Sequence, residues 1–142
     1  MNSSILVTFQ FGLLGTIVWY CGLPLHSNVF LVISGLSGIL GLWSIAVMRL
    51  SNLRVRPEPK PDAALRISGP YRVIRHPMYL SVILLSVSFV IEKPDAIVIS
   101  LFVLLFITLH TKLRYEEDLL QKKFPDYAEY TSGTWRLIPF IY

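Results

Sequence analysis

The sequence predicts an all-α integral membrane protein with about four transmembrane helices. Of its 142 residues, 54% are hydrophobic and only 15% are charged, and the mean hydropathy is +0.58. A soluble domain carries about 25% charged residues. No Asp, Glu, Lys or Arg precedes Arg49, and long uncharged runs recur further along the chain. So large an apolar excess indicates that lipid is the solvent for much of this chain.

Four uncharged runs, at residues 5–25, 29–50 (with Arg49 at its end), 77–91 and 96–111, are the predicted spans of a single domain, 1–142. The first two have the usual length for a bilayer of about 30 Å, and the last two are slightly short. The first run lacks a basic segment before it and a cleavage site after it, so we expect a retained span. A loop, 51–76, and a tail, 112–142, hold most of the charge.

The distribution of basic residues predicts the orientation. Seven lysines and arginines lie between Arg49 and Arg75, and five more follow from Lys112 onward. Because cytoplasmic loops are enriched in these residues, the loop, the tail and both termini are expected to be cytoplasmic. The loop and the tail then share one membrane face and can meet. We expect a bacterial or archaeal cell membrane rather than an organelle.

Composition also argues against several kinds of site. The single cysteine, Cys21, cannot form an internal disulfide or a cysteine-based metal site, and no metal is expected. The basic residues do not form a stripe with interleaved aromatic residues, so no nucleic-acid partner is expected. The lipid bilayer is the predicted partner.

The segment Gly69–Tyr79 runs from a polar turn directly into the third span. Pro77 occupies the expected first position of that helix, where its missing N–H is no loss. The free N–H groups of Met78 and Tyr79, with Arg75 and His76, then predict a site for a carboxylate or phosphate. The alternative is that Arg75 and His76 only anchor the helix among lipid headgroups.

A second polar cluster follows the fourth span, on a helix expected to continue to Pro125. Its members are Lys112, Arg114, Glu116, Glu117 and Asp118. The spacing allows weak pairs of Lys112 with Glu116 and of Arg114 with Asp118. Carboxylates beside a membrane indicate a cationic ligand, and a solvated helix end is the alternative. A ligand with one negative and one positive group, such as S-adenosylmethionine, would fit between the two clusters.

The motifs GPYRVIRHPMYL, RYEEDLLQKKFPDYAEY and RLIP, within residues 63–140, resemble the isoprenylcysteine carboxyl methyltransferase family. Its wider relatives include the phospholipid N-methyltransferases. The resemblance implies a membrane enzyme that uses S-adenosylmethionine and releases S-adenosylhomocysteine. It also implies a cytoplasmic cofactor pocket formed by the loop before the third helix and the C-terminal helical tail.

The resemblance assigns roles to residues of both motifs. The implied cofactor contacts are Leu65, Arg66, Tyr71, His76, Pro77, Met78, Tyr79, Glu116 and Glu117. The implied catalytic residues are Lys112, Arg114 and Glu116. Lys112 stands where the family has a substrate-contacting arginine, and a lysine lacks the planar fork that binds a carboxylate through two hydrogen bonds. Arg114 is a candidate substitute for that fork.

The expected function is methyl transfer from S-adenosylmethionine to a lipophilic acceptor that enters from the bilayer. A prenylated cysteine, a phospholipid amine and another small lipophile stay open as acceptors. One alternative is an NADPH-dependent membrane reductase of the sterol reductase type, which shares an Arg-His-Pro-x-Tyr-like element. The other is a non-enzymatic four-span membrane protein, which predicts no cofactor binding.

Overall fold

A computed structural model describes residues 3–52, 65 and 67–142. The described residues form four long helices: α1 (Ser3–Cys21), α2 (Asn28–Asn52), α3 (Pro77–Glu92) and α4 (Ala96–Lys123). A short 3-10 helix, Gly69–Arg72, precedes α3, and α5 (Tyr127–Ser132) follows α4. The described part of the chain contains no β-strand. The all-α prediction is confirmed.

Three described helices are long and apolar enough to cross a membrane: Ser4–Cys21, Asn28–Met48 and Ala96–Lys123. The remaining long helix, α3, has only 16 residues and is shorter than those three. The chain is therefore a multi-pass membrane protein. Exposed apolar side chains cover the outer faces of the helices, including Trp19 at 82% and Leu42 at 70% exposure. Such surfaces are suited to lipid.

The helix α2 packs mainly on α3, the next long helix along the chain, whereas α1 packs mainly on α4. Small residues permit the contact between α2 and α3. The Ser37 hydroxyl donates to the Ser81 carbonyl at 2.7 Å, and Gly41 lies beside the Ser81 side chain. Phe30 and Phe89 meet edge to face, with ring centroids 5.0 Å apart. Close backbone approach through small residues is typical of packed membrane helices.

The 3-10 helix before α3 is fixed against the end of α2 at Gly69. This glycine has a φ of +58°, and a Cβ there would lie 2.7 Å from a Val47 methyl carbon. Both the backbone conformation and the close approach require glycine at this position. The following residues then enter α3, whose first residue is Pro77, as the sequence predicts.

The opposite end of the bundle is closed by the turn between α3 and α4. Asp95 caps α4 by accepting a hydrogen bond from the Val98 N–H at 2.9 Å. The Tyr20 hydroxyl at the end of α1 donates to the same carboxylate at 3.2 Å, and Lys93 lies over the Tyr20 ring. The segment before α3 and the tail therefore lie together at the other end of the bundle.

This arrangement makes the predicted orientation testable. In a Cys21→Ser background, cysteines at positions 26 and 94 should react with a membrane-impermeant reagent added outside intact cells. A cysteine at position 60 should react only after the membrane is opened, because the positive loop is expected inside. The control is reaction of all three cysteines in detergent. Labelling of position 60 from outside would contradict the orientation.

Candidate functional site

The tail docks on the residues that lead into α3 through backbone hydrogen bonds. The Arg75 N–H donates to the Trp135 carbonyl at 2.7 Å, and the His76 N–H donates to the Arg136 carbonyl at 3.1 Å. The Trp135 N–H donates in turn to the Val73 carbonyl at 3.0 Å. These bonds form a short parallel pairing outside any regular strand. The two polar segments of the sequence therefore meet at the start of α3.

Glu117 on α4 joins these two segments through two ion pairs. Its Oε1 lies 2.8 Å from Arg75 Nε, and its Oε2 lies 2.9 Å from Arg136 Nε. Its side chain is only 10% exposed. Arg75 also donates hydrogen bonds to the carbonyl oxygens of Thr131 and Thr134. Glu117, which the resemblance implied as a cofactor contact, therefore has both carboxylate oxygens bound to arginines of the protein.

The anion site predicted at the start of α3 needs a correction. The Arg75 guanidinium, one of its expected members, is engaged by Glu117 and by the tail carbonyls. The Tyr79 N–H is not free either, because it donates to the His76 carbonyl at 3.1 Å. The prediction is wrong for these two groups, because Glu117 of α4 and the tail carbonyls bind Arg75 and the His76 carbonyl binds the Tyr79 N–H.

Glu116, one residue before Glu117, has different surroundings. The Tyr79 hydroxyl donates to its Oε2 at 2.5 Å, and His76 Nδ1 lies 3.9 Å from the same oxygen. The rings of His76 and Tyr79 stack with centroids 5.3 Å apart. Within the described residues, no lysine or arginine nitrogen lies within 4 Å of Glu116, whose side chain is 26% exposed. Its negative charge is therefore available to a cationic ligand.

Two buried tyrosine hydroxyls near these carboxylates, those of Tyr71 and Tyr127, have no hydrogen-bond partner among the described residues. Burial and the charge of Glu116 raise the pKa of Tyr71 above its ordinary value, so its hydroxyl keeps its proton and is a donor. His76 Nε2 lies 3.4 Å from Glu117 Oε1 without hydrogen-bond geometry. Buried polar groups without partners are rare and often mark functional sites.

A second tyrosine of the tail holds the 3-10 helix in place. The Tyr130 hydroxyl donates to the Tyr71 carbonyl at 2.6 Å, and burial raises the pKa of Tyr130 to about 12. The bond therefore persists at physiological pH, because Tyr130 stays protonated. It anchors Tyr71 beside the junction of loop and tail.

The predicted catalytic residues Lys112 and Arg114 lie on different faces of α4. Lys112 is buried, and its Nζ donates to Gln10 Oε1 of α1 at 2.7 Å. Its ammonium also lies 5.2 Å from the centre of the Tyr79 ring. Arg114 is exposed and donates to His110 Nε2 at 3.0 Å. Neither of the predicted pairs, Lys112 with Glu116 or Arg114 with Asp118, comes within 4 Å in the described residues.

Four predicted cofactor contacts remain: Leu65, Arg66, Pro77 and Met78. Pro77 is buried as the first residue of α3, and Met78 and Leu65 are half-buried. Arg66 lies outside the described residues. The predicted residues that the structure brings together are thus Tyr71, His76, Tyr79, Glu116 and Glu117.

Reasoning from the sequence missed Gln10, Tyr127, Tyr130 and Arg136 as individual contributors. A signal existed for Gln10, which is the single amide in the uncharged run 5–25. Polar residues inside a span usually have a specific partner. The two tyrosines and Arg136 belong to the motifs that carry the resemblance, but their partners depend on how the tail folds back.

A family model described as phospholipid methyltransferase matches residues 29–127, well over half of the chain. The chain belongs to this family. It is therefore a membrane methyltransferase, which argues against the reductase and the non-enzymatic alternatives. The match covers α2, α3 and α4 but not α1. Searches of curated proteins and of solved structures gave no match.

The two ion pairs of Glu117 with Arg75 and Arg136 predict that removing the Glu117 charge lowers the stability of the protein strongly. Glu117→Gln removes the charge that two arginines share, and breaking one partner of a buried pair costs about 3 to 5 kcal/mol. We expect a clear fall in the thermal unfolding temperature of the purified protein. The matched control is Asp118→Asn, because Asp118 is an exposed carboxylate on the same helix. Equal unfolding temperatures for the two variants would contradict the stabilising role of the Glu117 ion pairs.

Proposed function

We propose that this methyltransferase takes its methyl group from S-adenosylmethionine and transfers it to a lipophilic acceptor at the junction of loop and tail. The main support for this proposal is the Glu116 carboxylate. It is partly exposed, it has no arginine or lysine partner within 4 Å in the described chain, and it lies beside His76 and Tyr79. Its negative charge is thus suited to a ligand with a positive centre.

The residues present fit this cofactor. When bound, S-adenosylmethionine supplies an activated methyl group on a positively charged sulfur, and S-adenosylhomocysteine is left after transfer. Glu116 offers a carboxylate for a cationic group, and the buried Tyr71 hydroxyl offers a hydrogen-bond donor without a partner. The stacked rings of His76 and Tyr79 lie beside this carboxylate.

The chain needs to contribute little acid–base chemistry if the acceptor is an anion. Transfer of a methyl group from a cation to a carboxylate or thiolate neutralises both charges, so the protein mainly aligns the reactants and excludes water. Alignment alone supplies about 7 to 11 kcal/mol of the barrier in favourable cases. The hydrogen bond to Glu116 fixes the Tyr79 ring, and the hydrogen bond from Tyr130 fixes the backbone of Tyr71.

An anionic acceptor, such as the carboxyl group of a prenylated cysteine, is supported by Lys112. Its buried ammonium lies one helical turn from Glu116, and only the bond to Gln10 is present among the described residues. An ammonium has three N–H donors, so further donors remain for an acceptor anion.

A phospholipid amine is the second candidate, and the family match supports it. An amine must lose a proton to become a nucleophile, which an anionic acceptor does not require. Either acceptor would reach the site from the bilayer. The exposed apolar helix faces around the site end of the bundle are compatible with such entry.

The donor site is tested by titrating S-adenosylhomocysteine into the purified protein. We expect binding by the wild type, and a loss of affinity of at least about tenfold in Glu116→Gln, because a hydrogen bond to a charged group contributes about 1.5 to 3 kcal/mol. His76→Ala should also weaken binding. Asp118→Asn is the control and should bind normally. Wild-type affinity in folded Glu116→Gln and His76→Ala variants would refute this site.

The class of acceptor is tested by steady-state kinetics of Lys112→Ala with donor and acceptor varied separately. With an anionic acceptor, loss of the ammonium should raise the acceptor KM with little change in the affinity for the donor. With an amine acceptor, removal of a neighbouring cation should lower the acceptor KM. Arg114→Ala is measured beside it, and we expect a smaller change there, since the side chain of this other predicted catalytic residue is exposed and bound to His110. An unchanged acceptor KM in Lys112→Ala would contradict a role for Lys112 with either acceptor.

A further inference from the structure

The Lys112 ammonium has two candidate partners, and only one of them accepts a hydrogen bond from it. Glu116 lies four residues further along α4, a spacing at which lysine and glutamate form ion pairs on one helix face. In the described residues these two groups do not come within 4 Å. The ammonium instead donates to Gln10 on α1 at 2.7 Å.

We propose that Gln10 is a positioning residue that holds Lys112 away from Glu116 and so keeps the Glu116 carboxylate free for a cationic ligand. The proposal rests on the proposed function, in which Glu116 binds the positive part of the cofactor. It adds a residue of α1, a helix outside the region matched by the family model, to the machinery of the site.

The burial of both groups explains why one hydrogen bond decides the position of the lysine. Gln10 is 6% exposed and Lys112 is 2% exposed. A buried ammonium without an acceptor is costly, so Lys112 must find an oxygen. The Gln10 amide oxygen satisfies one N–H without neutralising the charge, and the Tyr79 ring 5.2 Å away adds a cation–π contact.

Two carboxylates, those of Glu116 and Glu117, follow Lys112 within five residues of α4. Glu117 is not available, because Arg75 and Arg136 occupy its two oxygens. Glu116 lies one helical turn from Lys112, and in the described residues the polar groups beside its carboxylate are His76 and the neutral Tyr79 hydroxyl. Without the Gln10 oxygen, Lys112 would therefore pair with Glu116 and compete with any cationic ligand.

The test measures binding of S-adenosylhomocysteine to the full-length purified protein. Gln10→Met keeps the length of the side chain but removes its oxygen, and it should raise the Kd about tenfold, which corresponds to about 1.4 kcal/mol. Gln10→Glu still offers an oxygen to Lys112 and should keep the Kd within about twofold of wild type, because a charged acceptor holds an ammonium at least as well.

The decisive variant combines Gln10→Met with Lys112→Met. Removing the lysine takes away the competitor for Glu116, so the double variant should recover wild-type affinity. Damage to packing alone would not be repaired by a second substitution in the core. Thermal unfolding shows that each variant is folded, and Gln10→Leu replaces Gln10→Met if the latter is unstable.

Each outcome has a definite meaning. Wild-type affinity in Gln10→Met, or weak binding that persists in the double variant, overturns the proposal. If Glu116→Gln binds weakly while Gln10→Met binds normally, only the role of Gln10 fails. If Glu116→Gln itself binds as wild type, the donor site under the proposed function is wrong and the role of Gln10 falls with it.

Discussion

The ion pairs of Glu117 with Arg75 and Arg136 hold together three parts of the chain that are distant in sequence. Arg75 precedes α3, Glu117 lies on α4, and Arg136 lies in the tail. The side chains of Arg75 and Glu117 are only 9% and 10% exposed, so loss of this carboxylate would leave a poorly solvated guanidinium without its ion-pair partner, which is costly. Because Glu116 is the preceding residue of α4, the same ion pairs also hold the candidate binding group in place.

The two adjacent glutamates have different surroundings because of helix geometry. Successive residues of an α-helix point about 100° apart around its axis. Glu117 faces the arginines, whereas Glu116 faces Tyr79 and keeps part of its surface exposed. A pair of acids at the end of a membrane helix can thus provide one structural carboxylate and one that is open to a ligand. Exchange of the two roles would require the helix to rotate against α3.

The sequence predicted the helices well because apolar runs and the helix-starting Pro77 are local signals. The predicted spans overlap the four long helices, and α4 continues past its span to Lys123, as expected for a helix ended by Pro125. The partners of charged groups were predicted poorly. Arg75 was expected to bind an anionic ligand, and Lys112 was expected to pair along its own helix. Both choices depend on groups brought in by tertiary packing, which spacing along the chain does not reveal.

Two polar contacts add to the apolar packing of Ile17 in fixing the position of α1 along α4. Gly12 and Gly15 of α1 do not mark a close helix contact, because a Cβ added at either would meet no atom of another helix within 4 Å. Gln10 binds Lys112, and Tyr20 binds Asp95. The paired residues are separated by about 15 Å of rise on α1 and about 25 Å on α4, so the long side chains of Lys112 and Tyr20 must span the difference. A shift of α1 by one turn would break both contacts and leave a buried ammonium without an acceptor. The first helix is therefore held in register by groups at the two ends of the bundle, one of which lies directly beside the candidate site.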